Sequence, residues 1–226
     1  AWQEAETRLL REYLDKDGKL LLLVKPRAVK GTVEGLELLL SDFNVDVADK
    51  AVVIEVYRDL LSGSSVGDVK VVVQDYAKHP ITDDLANMNC FLQAACPVKS
   101  LMPEPPQGQM AMRNMPFSPY VAVELLRSSA ESWGETNLTA RQVKFEAGED
   151  EKGPLPLALA ITRRPLPGPG AREDVAGGPR LVVVGSTSIA SDATLTQYEA
   201  NRVFMMNAVN TATTTMTRIG SVNRTD

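Results

Sequence analysis

A single histidine, His79, limits the acid–base chemistry open to this chain. A serine or cysteine nucleophile needs a base beside it, so any Ser/His or Cys/His arrangement has to use this one residue. Nucleophile elbows set their Ser or Cys between glycines at a sharp strand-to-helix turn, and neither Cys90 nor Cys96 has such neighbours. Gly185-Ser186-Thr187-Ser188 follows a buried apolar run as an elbow would, but the second glycine is missing. A structural turn with helix-capping hydroxyls is the plainer reading of Ser186 and Ser188. Two cysteines and one histidine do not make a zinc site, and there is no Walker A motif, so neither a metal nor a cofactor is expected. The acids Glu146, Glu149, Asp150 and Glu151 lack the regular spacing of a calcium loop and read as a solvated surface.

Two clusters carry more information. In Gln74-Asp75-Tyr76-Ala77-Lys78-His79-Pro80-Ile81-Thr82, polar and titratable groups follow directly on an apolar run, and strand carboxyl ends are where open α/β sheets bind ligands. In Ser132-Trp133-Gly134-Glu135-Thr136, an indole, a glycine and an acid stand together. Each has a plainer reading: a turn in which His79 satisfies local hydrogen bonds, and a Trp that anchors a loop to the core. The functional reading brings Asp75, His79, Trp133, Glu135 and Ser186 to one end of a sheet. There Trp133 would be a stacking platform, and the two acids would accept hydrogen bonds from a sugar or peptide.

The elements that have to position these residues are legible in the apolar periodicity. Residues 2–17 show helical spacing, with Trp2, Leu9, Leu10, Tyr13 and Leu14 on one stripe. Residues 19–24 form a continuous apolar run ending before Pro26, which predicts a central strand covered on both faces. Thr32 is a candidate N-cap for a helix reaching Phe43. Strands are predicted over 51–56 and 69–73, joined by a flexible connection through Ser62-Gly63-Ser64-Ser65 and Gly67, and again over 120–126, 155–161 and 181–184. In the stretch 155–161, Leu155, Leu157, Leu159 and Ile161 alternate with Pro156, Ala158 and Ala160, predicting one bulky and one small face. A closing helix is predicted over 199–211, and 102–119, 146–154 and 164–179 read as surface loops. Strands alternating with amphipathic helices predict an α/β fold with a mostly parallel sheet, helices on both faces and antiparallel additions over 120–161.

The chain has 226 residues, 44% of them hydrophobic, enough to bury one substantial core, so residues 1–226 are expected to form one domain. A net charge of -5 argues against nucleic acid as a partner, since that affinity comes from neutralising phosphates. No apolar run approaches the roughly 18 residues that cross a bilayer. The chain opens on Ala1 without an initiator Met, as expected of a domain taken from a longer parent. Cys90 and Cys96 would lie roughly 20 Å apart in an extended strand, too far for a disulfide unless a turn intervenes, and both read as small core residues.

The order of Gly18-Lys19-Leu20-Leu21, Val73-Gln74-Asp75-Tyr76, His79-Pro80-Ile81-Thr82, Ser132-Trp133-Gly134-Glu135-Thr136, Lys152-Gly153-Pro154-Leu155, Val183-Val184-Gly185-Ser186 and Asn201-Arg202 resembles the auxiliary component of gliding-motility-type (GldG-like) ABC transporters. That resemblance spans nearly the whole chain. It implies a fold similar to class I glutamine amidotransferases, flavodoxin-like proteins and intraflagellar-transport (GIFT) domains. It further implies an extracytoplasmic, periplasmic-side domain in a parent anchored to the inner membrane, working beside ABC transporter permease and ATPase subunits. The chain departs from the family where Gly185-Ser186-Thr187-Ser188-Ile189 replaces an acidic Gly-Asp-Ser-Asp-Phe pattern, and where Thr211 replaces a Trp. The expected function is a non-enzymatic accessory role in ABC-type transport or gliding, with a permease, a cell-envelope glycan or an envelope protein as partner. The alternatives are a receptor-like module for a small molecule or glycan, and a hydrolase or amidotransferase-like enzyme using His79.

Overall fold

The computed structural model describes residues 4–16, 18–26, 34–48, 51–58, 64–102, 118–137, 143–163 and 180–213. Helix α1 (Glu4–Asp15) leads into strand β1 (Leu20–Leu23), and helix α2 (Glu34–Asp42) into β2 (Val45–Val47). Short strands follow: β3 (Val52–Arg58), β4 (Ser65–Asp68), β5 (Lys70–Val73), β6 (Asp75–Tyr76), β7 (Cys90–Gln93) and β8 (Val98–Ser100). Next come β9 (Tyr120–Arg127), β10 (Trp133–Glu135), β11 (Glu151–Lys152), β12 (Pro156–Arg163) and β13 (Leu181–Val184). Helices α3 (Asp192–Gln197) and α4 (Glu199–Thr213) complete the order. Trp2 and Thr32, assigned above to a helix stripe and an N-cap, lie outside the described residues, as does nearly all of the two long loops predicted over 102–119 and 164–179.

The strands pair as a five-stranded sheet in the order β1-β13-β12-β9-β6, a four-stranded sheet β11-β10-β3-β4, and two ladders, β2-β8 and β5-β7. Of these pairings only β1 with β13 is parallel. The mostly parallel, flavodoxin-like or amidotransferase-like sheet predicted from the sequence is therefore wrong: the protein is β-rich, with mixed and antiparallel pairing in several small sheets. The physical reason lies in the connections. A parallel neighbour needs a crossover of a dozen or more residues, usually a helix, and between β2 and β13 the described residues contain no α-helix. Two further expectations change with it. β1 is an edge strand with half-buried leucines rather than a central one, and Ser65–Asp68 is a strand paired antiparallel to β3 rather than a flexible link.

Helices cover both faces of the five-stranded sheet. On one face Phe204 and Ala208 of α4 share a core with Ala158, Ala160, Val182 and Val184. On the other, Leu14 of α1 and Leu39, Leu40 and Phe43 of α2 share one with Leu159, Ile161, Leu181 and Val183. The simple alternation predicted for 155–161 fails at an irregularity in the β12–β9 ladder, where the register shifts on either side of Ala158. An extra residue in a strand flips the side-chain order beyond it. Leu157 thus joins Ala158 and Ala160 in the α4 core, while Leu159 and Ile161 enter the other core.

Helix α4 is also tied to the outside of β7. The Asn201 carboxamide accepts from the Phe91 N–H at 2.9 Å and donates to the Phe91 carbonyl at 2.8 Å, closing a strand edge that no other strand covers among the described residues. Asn201 is fully buried. Replacing it by Leu leaves both backbone groups without that partner, and the expected cost is about 2 kcal/mol of unfolding free energy, read from urea titrations. A loss below about 0.5 kcal/mol, the level of an ordinary surface change, would show that water serves Phe91 equally well.

Candidate functional site

Asp75 opens β6, its carboxylate exposed and 3.9 Å from Arg127 Nη1. His79 sits in the following turn. Its Nδ1 accepts from the Ile81 N–H at 3.1 Å, and its own backbone N–H donates to Asp83 Oδ1 at 3.0 Å. Burial pushes the imidazole below its ordinary value of 6.5, with Asp83 opposing. The folded state therefore holds His79 neutral at pH values where the unfolded chain has begun to protonate it. Stability is full above about pH 6.5 and falls as pH drops through that value toward the lower folded one. Because the chain has one histidine, urea titrations between about pH 5.5 and 8 should show this slope in the wild type and lose it in His79→Asn. An unchanged slope in the variant would contradict the assignment.

Trp133 and Glu135 are two residues apart on β10, so their side chains share a face. Both are buried, 7% and 3% exposed. The indole Nε1–H donates to Glu135 Oε2 at 3.2 Å, and the Asn137 N–H donates to Oε1 at 2.7 Å. Trp133 packs with Val52 and Ile54 of β3 and meets Phe145 edge-on at 6.5 Å. This is an anchored indole, with no open ring face on which a sugar could stack.

Ser186 is fully buried and donates to the Gln93 carbonyl at 2.9 Å, while the Gln93 N–H donates to Ser188 Oγ at 2.7 Å. The Ser188 N–H returns to Ser186 Oγ at 3.2 Å. These hydroxyls staple the end of β7 to the turn after β13. Cys90 offers no nucleophile either: burial pushes its thiol up to about 11, so it stays protonated. Cys90 and Cys96 are both free and buried.

The five residues are not brought to one cleft. Asp75 pairs across from Arg127, which lies opposite Pro156, and Val184 pairs with Ala158, so Asp75 and Ser186 do share one end of the five-stranded sheet. They are three strands apart, about 14 Å at ordinary strand spacing. The run before Asp75, β5, belongs to a different ladder, and Trp133 and Glu135 to a different sheet. Their partners are separate local hydrogen-bond networks.

A cleft of about 790 Å³ opens elsewhere, between α2 and β2 on one side and β10 and β11 on the other. Its apolar lining includes Leu38, Val47, Ala51, Pro97 and Leu101, and its acids are Glu37, Asp46, Glu149 and Glu151. Leu38 is 64% and Leu101 49% exposed at its margin. Local chemistry builds it. Asn44 ends α2 in the left-handed region at φ 66°, and its side chain donates to Ser100 Oγ and accepts from the Met102 N–H. That fixes β2 against β8. Alternation along β10 turns Trp133 and Glu135 inward and leaves Gly134 on the cleft wall. Lys99 forms an ion pair with Glu151, and Glu149 raises the pKa of the neighbouring Glu146. This cleft is not among the sites expected from the sequence. The signal was Val45-Asp46-Val47, an apolar–acid–apolar triplet directly after a helix-ending Asn.

The chain is thus a β-rich domain whose mixed central sheet carries helices on both faces. No family model matches it, and no curated protein matches it. Among solved structures it is similar to one described as the mmIFT52 N-terminal domain, with a TM-score of 0.55 and 16% identity over 94% of this chain and 72% of that chain. At that identity the likeness is one of fold alone.

Proposed function

We propose that this domain is a non-enzymatic binding and assembly module, the accessory component of an ABC-type transport or gliding system, and that it holds a partner protein in the cleft between α2–β2 and β10–β11. The observation that carries the reading is the cleft itself, where Leu38 and Leu101 stand exposed beside Asp46 and Glu149. Exposed large apolar side chains set among charges mark protein-interaction surfaces. Two things support the non-enzymatic part. His79 Nδ1 and the Ser186 hydroxyl are held in backbone hydrogen bonds, and the Cys90 thiol is protonated. The ABC setting, the extracytoplasmic location and the membrane-anchored parent are supported by the sequence resemblance. Among the described residues no helix is long and apolar enough to cross a membrane.

The test is affinity purification of the tagged protein from its native cells, wild type beside Leu38→Ser with Leu101→Ser. ABC permease and ATPase subunits should accompany the wild type and be lost with the variant. Recovery of no transporter subunit, or equal recovery with both proteins, overturns the proposal. A receptor-like role has one observation in its favour: the cleft volume lies in the range of small-molecule sites. Saturable calorimetric binding of an envelope glycan, lost in the same variant, would establish it instead.

A further inference from the structure

We propose that a second copy of this chain binds along the outer edge of β1, strand antiparallel to strand, so that the two five-stranded sheets join across a two-fold axis. The Leu20 N–H donates to the Arg180 carbonyl and the Val24 N–H to the Val184 carbonyl, both at 2.9 Å. Backbone groups alternate sides along a strand, so those of Leu20, Leu22 and Val24 face β13, and those of Leu21 and Leu23 point away from it. On that side β1 has no strand neighbour among the described residues. Its four leucines are all half-buried, as in a strand that has helices over both faces and one edge open. Leu21 and Leu23 pack against the core under α4, and Leu20, Leu22 and Val24 against the core under α1 and α2, so both cores end at this edge. A bare apolar edge is a template for another strand, and a homodimer interface resembles a core cut in two.

Helix α1 specifies the occupant. The Tyr13 hydroxyl donates to the Lys19 carbonyl at 3.0 Å, which sets this side of α1 beside the open edge. Glu6, Leu9, Tyr13 and Lys16 follow at spacings of three, four and three, forming one exposed stripe on the side away from the buried Thr7 and Leu14. Leu9 is 63% and Tyr13 51% exposed. The stripe reads acid, apolar, apolar, base, and so complements itself when reversed. In an antiparallel copy Glu6 meets Lys16 and Leu9 meets Tyr13, each twice, as a closed two-fold contact requires. Charge also sets the strand register. An axis at Leu22 would place Lys19 directly opposite Lys25 of the second copy, a repulsive pair. An axis at Leu23 removes that clash, placing Lys25 opposite Leu21 and Leu22 opposite Val24. A foreign strand could make the same backbone bonds but would leave the α1 stripe unmatched.

Sedimentation equilibrium of the full chain between about 1 µM and about 1 mM should follow a monomer–dimer equilibrium. As concentration rises, hydrogen exchange at the Leu21 and Leu23 amides should slow. In a mixture of isotopically labelled and unlabelled chains, the α-protons of Leu22 and Val24 should show intermolecular contacts with one another, because they would face each other as a non-hydrogen-bonded pair. Lys16→Glu should weaken the dimer at least about fivefold, by setting acid against acid at two places, and adding Glu6→Lys should restore the affinity. Both positions are exposed, so the fold should survive the exchange. Leu9→Lys should shift the chain to monomer. A monomer at every concentration, exchange at Leu21 and Leu23 that ignores concentration, no rescue by the charge swap, or a dimer whose contacts lie in the cleft would overturn the proposal. So would a photo-crosslinking residue at Leu9 that captures another protein and never this chain.

Discussion

Gly185→Ala should lower the unfolding free energy by about 3 kcal/mol, the upper part of the range for overpacking a tight core. A Cβ at this position would stand 1.9 Å from the Cys96 carbonyl oxygen, a backbone atom that has nowhere to go. It is held because the Cys96 N–H donates to the Gly185 carbonyl at 2.7 Å, while the Gly185 N–H donates to Leu157 at 2.8 Å. The glycine is required by the close approach of the 94–97 segment to the end of β13. Ser186 and Ser188 then bond the adjoining Gln93 backbone. What resembles half of a nucleophile elbow is thus a joint between the five-stranded sheet and the β5–β7 ladder. Urea titration decides the point, and a loss below about 1 kcal/mol would mean that the two segments can separate freely.

Phe204→Ala should cost about 4 kcal/mol, the usual range for deleting a buried ring being 3–5. Phe204 is fully buried in the core under α4, to which β12 contributes the small Ala158 and Ala160 beside Leu157. With the ring removed, the small alanines cannot fill the space and the cavity persists. Phe204→Leu should recover more than half of the loss, because it restores most of the packed volume. Equal losses for the two variants, measured by denaturant titration, would show that the aromatic edge rather than volume matters there.

Periodicity made the well-buried elements readable. The apolar run Leu181–Val184 is a fully buried strand at the limits the sequence suggests, and the closing helix carries Phe204 and Ala208 inward. Strand direction was not readable, because the same buried run suits a parallel or an antiparallel neighbour, and the choice is made by the connections. The alternation Leu155, Leu157, Leu159, Ile161 was misleading, since a register shift at Ala158 divides it between two cores. β2, β6, β10 and β11 have only two or three residues, too short to show a period.

The expected ligand residues were singled out by type, and three of them, Trp133, Glu135 and Ser186, are buried. Trp133 and Glu135 satisfy one another within the second sheet, while His79 and Ser186 bond backbone groups in the plainer roles also weighed for them. The cleft escaped notice because its walls come from α2, β2, β10 and β11, and their proximity depends on tertiary packing. Only the Asn44-Val45-Asp46-Val47 step was visible locally, as a helix stop followed by one alternation.

Site-specific photo-crosslinking in native cells shows whether the cleft meets a transporter subunit. A benzophenone amino acid is placed at Leu38 or Leu101 on the cleft margin, or at Met206, which is 63% exposed on α4 and serves as the distant control. Adducts with an ABC permease or ATPase subunit are expected from the two cleft positions and none from Met206. Adducts with those subunits from Met206 alone, with both cleft positions silent, would contradict that role for the cleft.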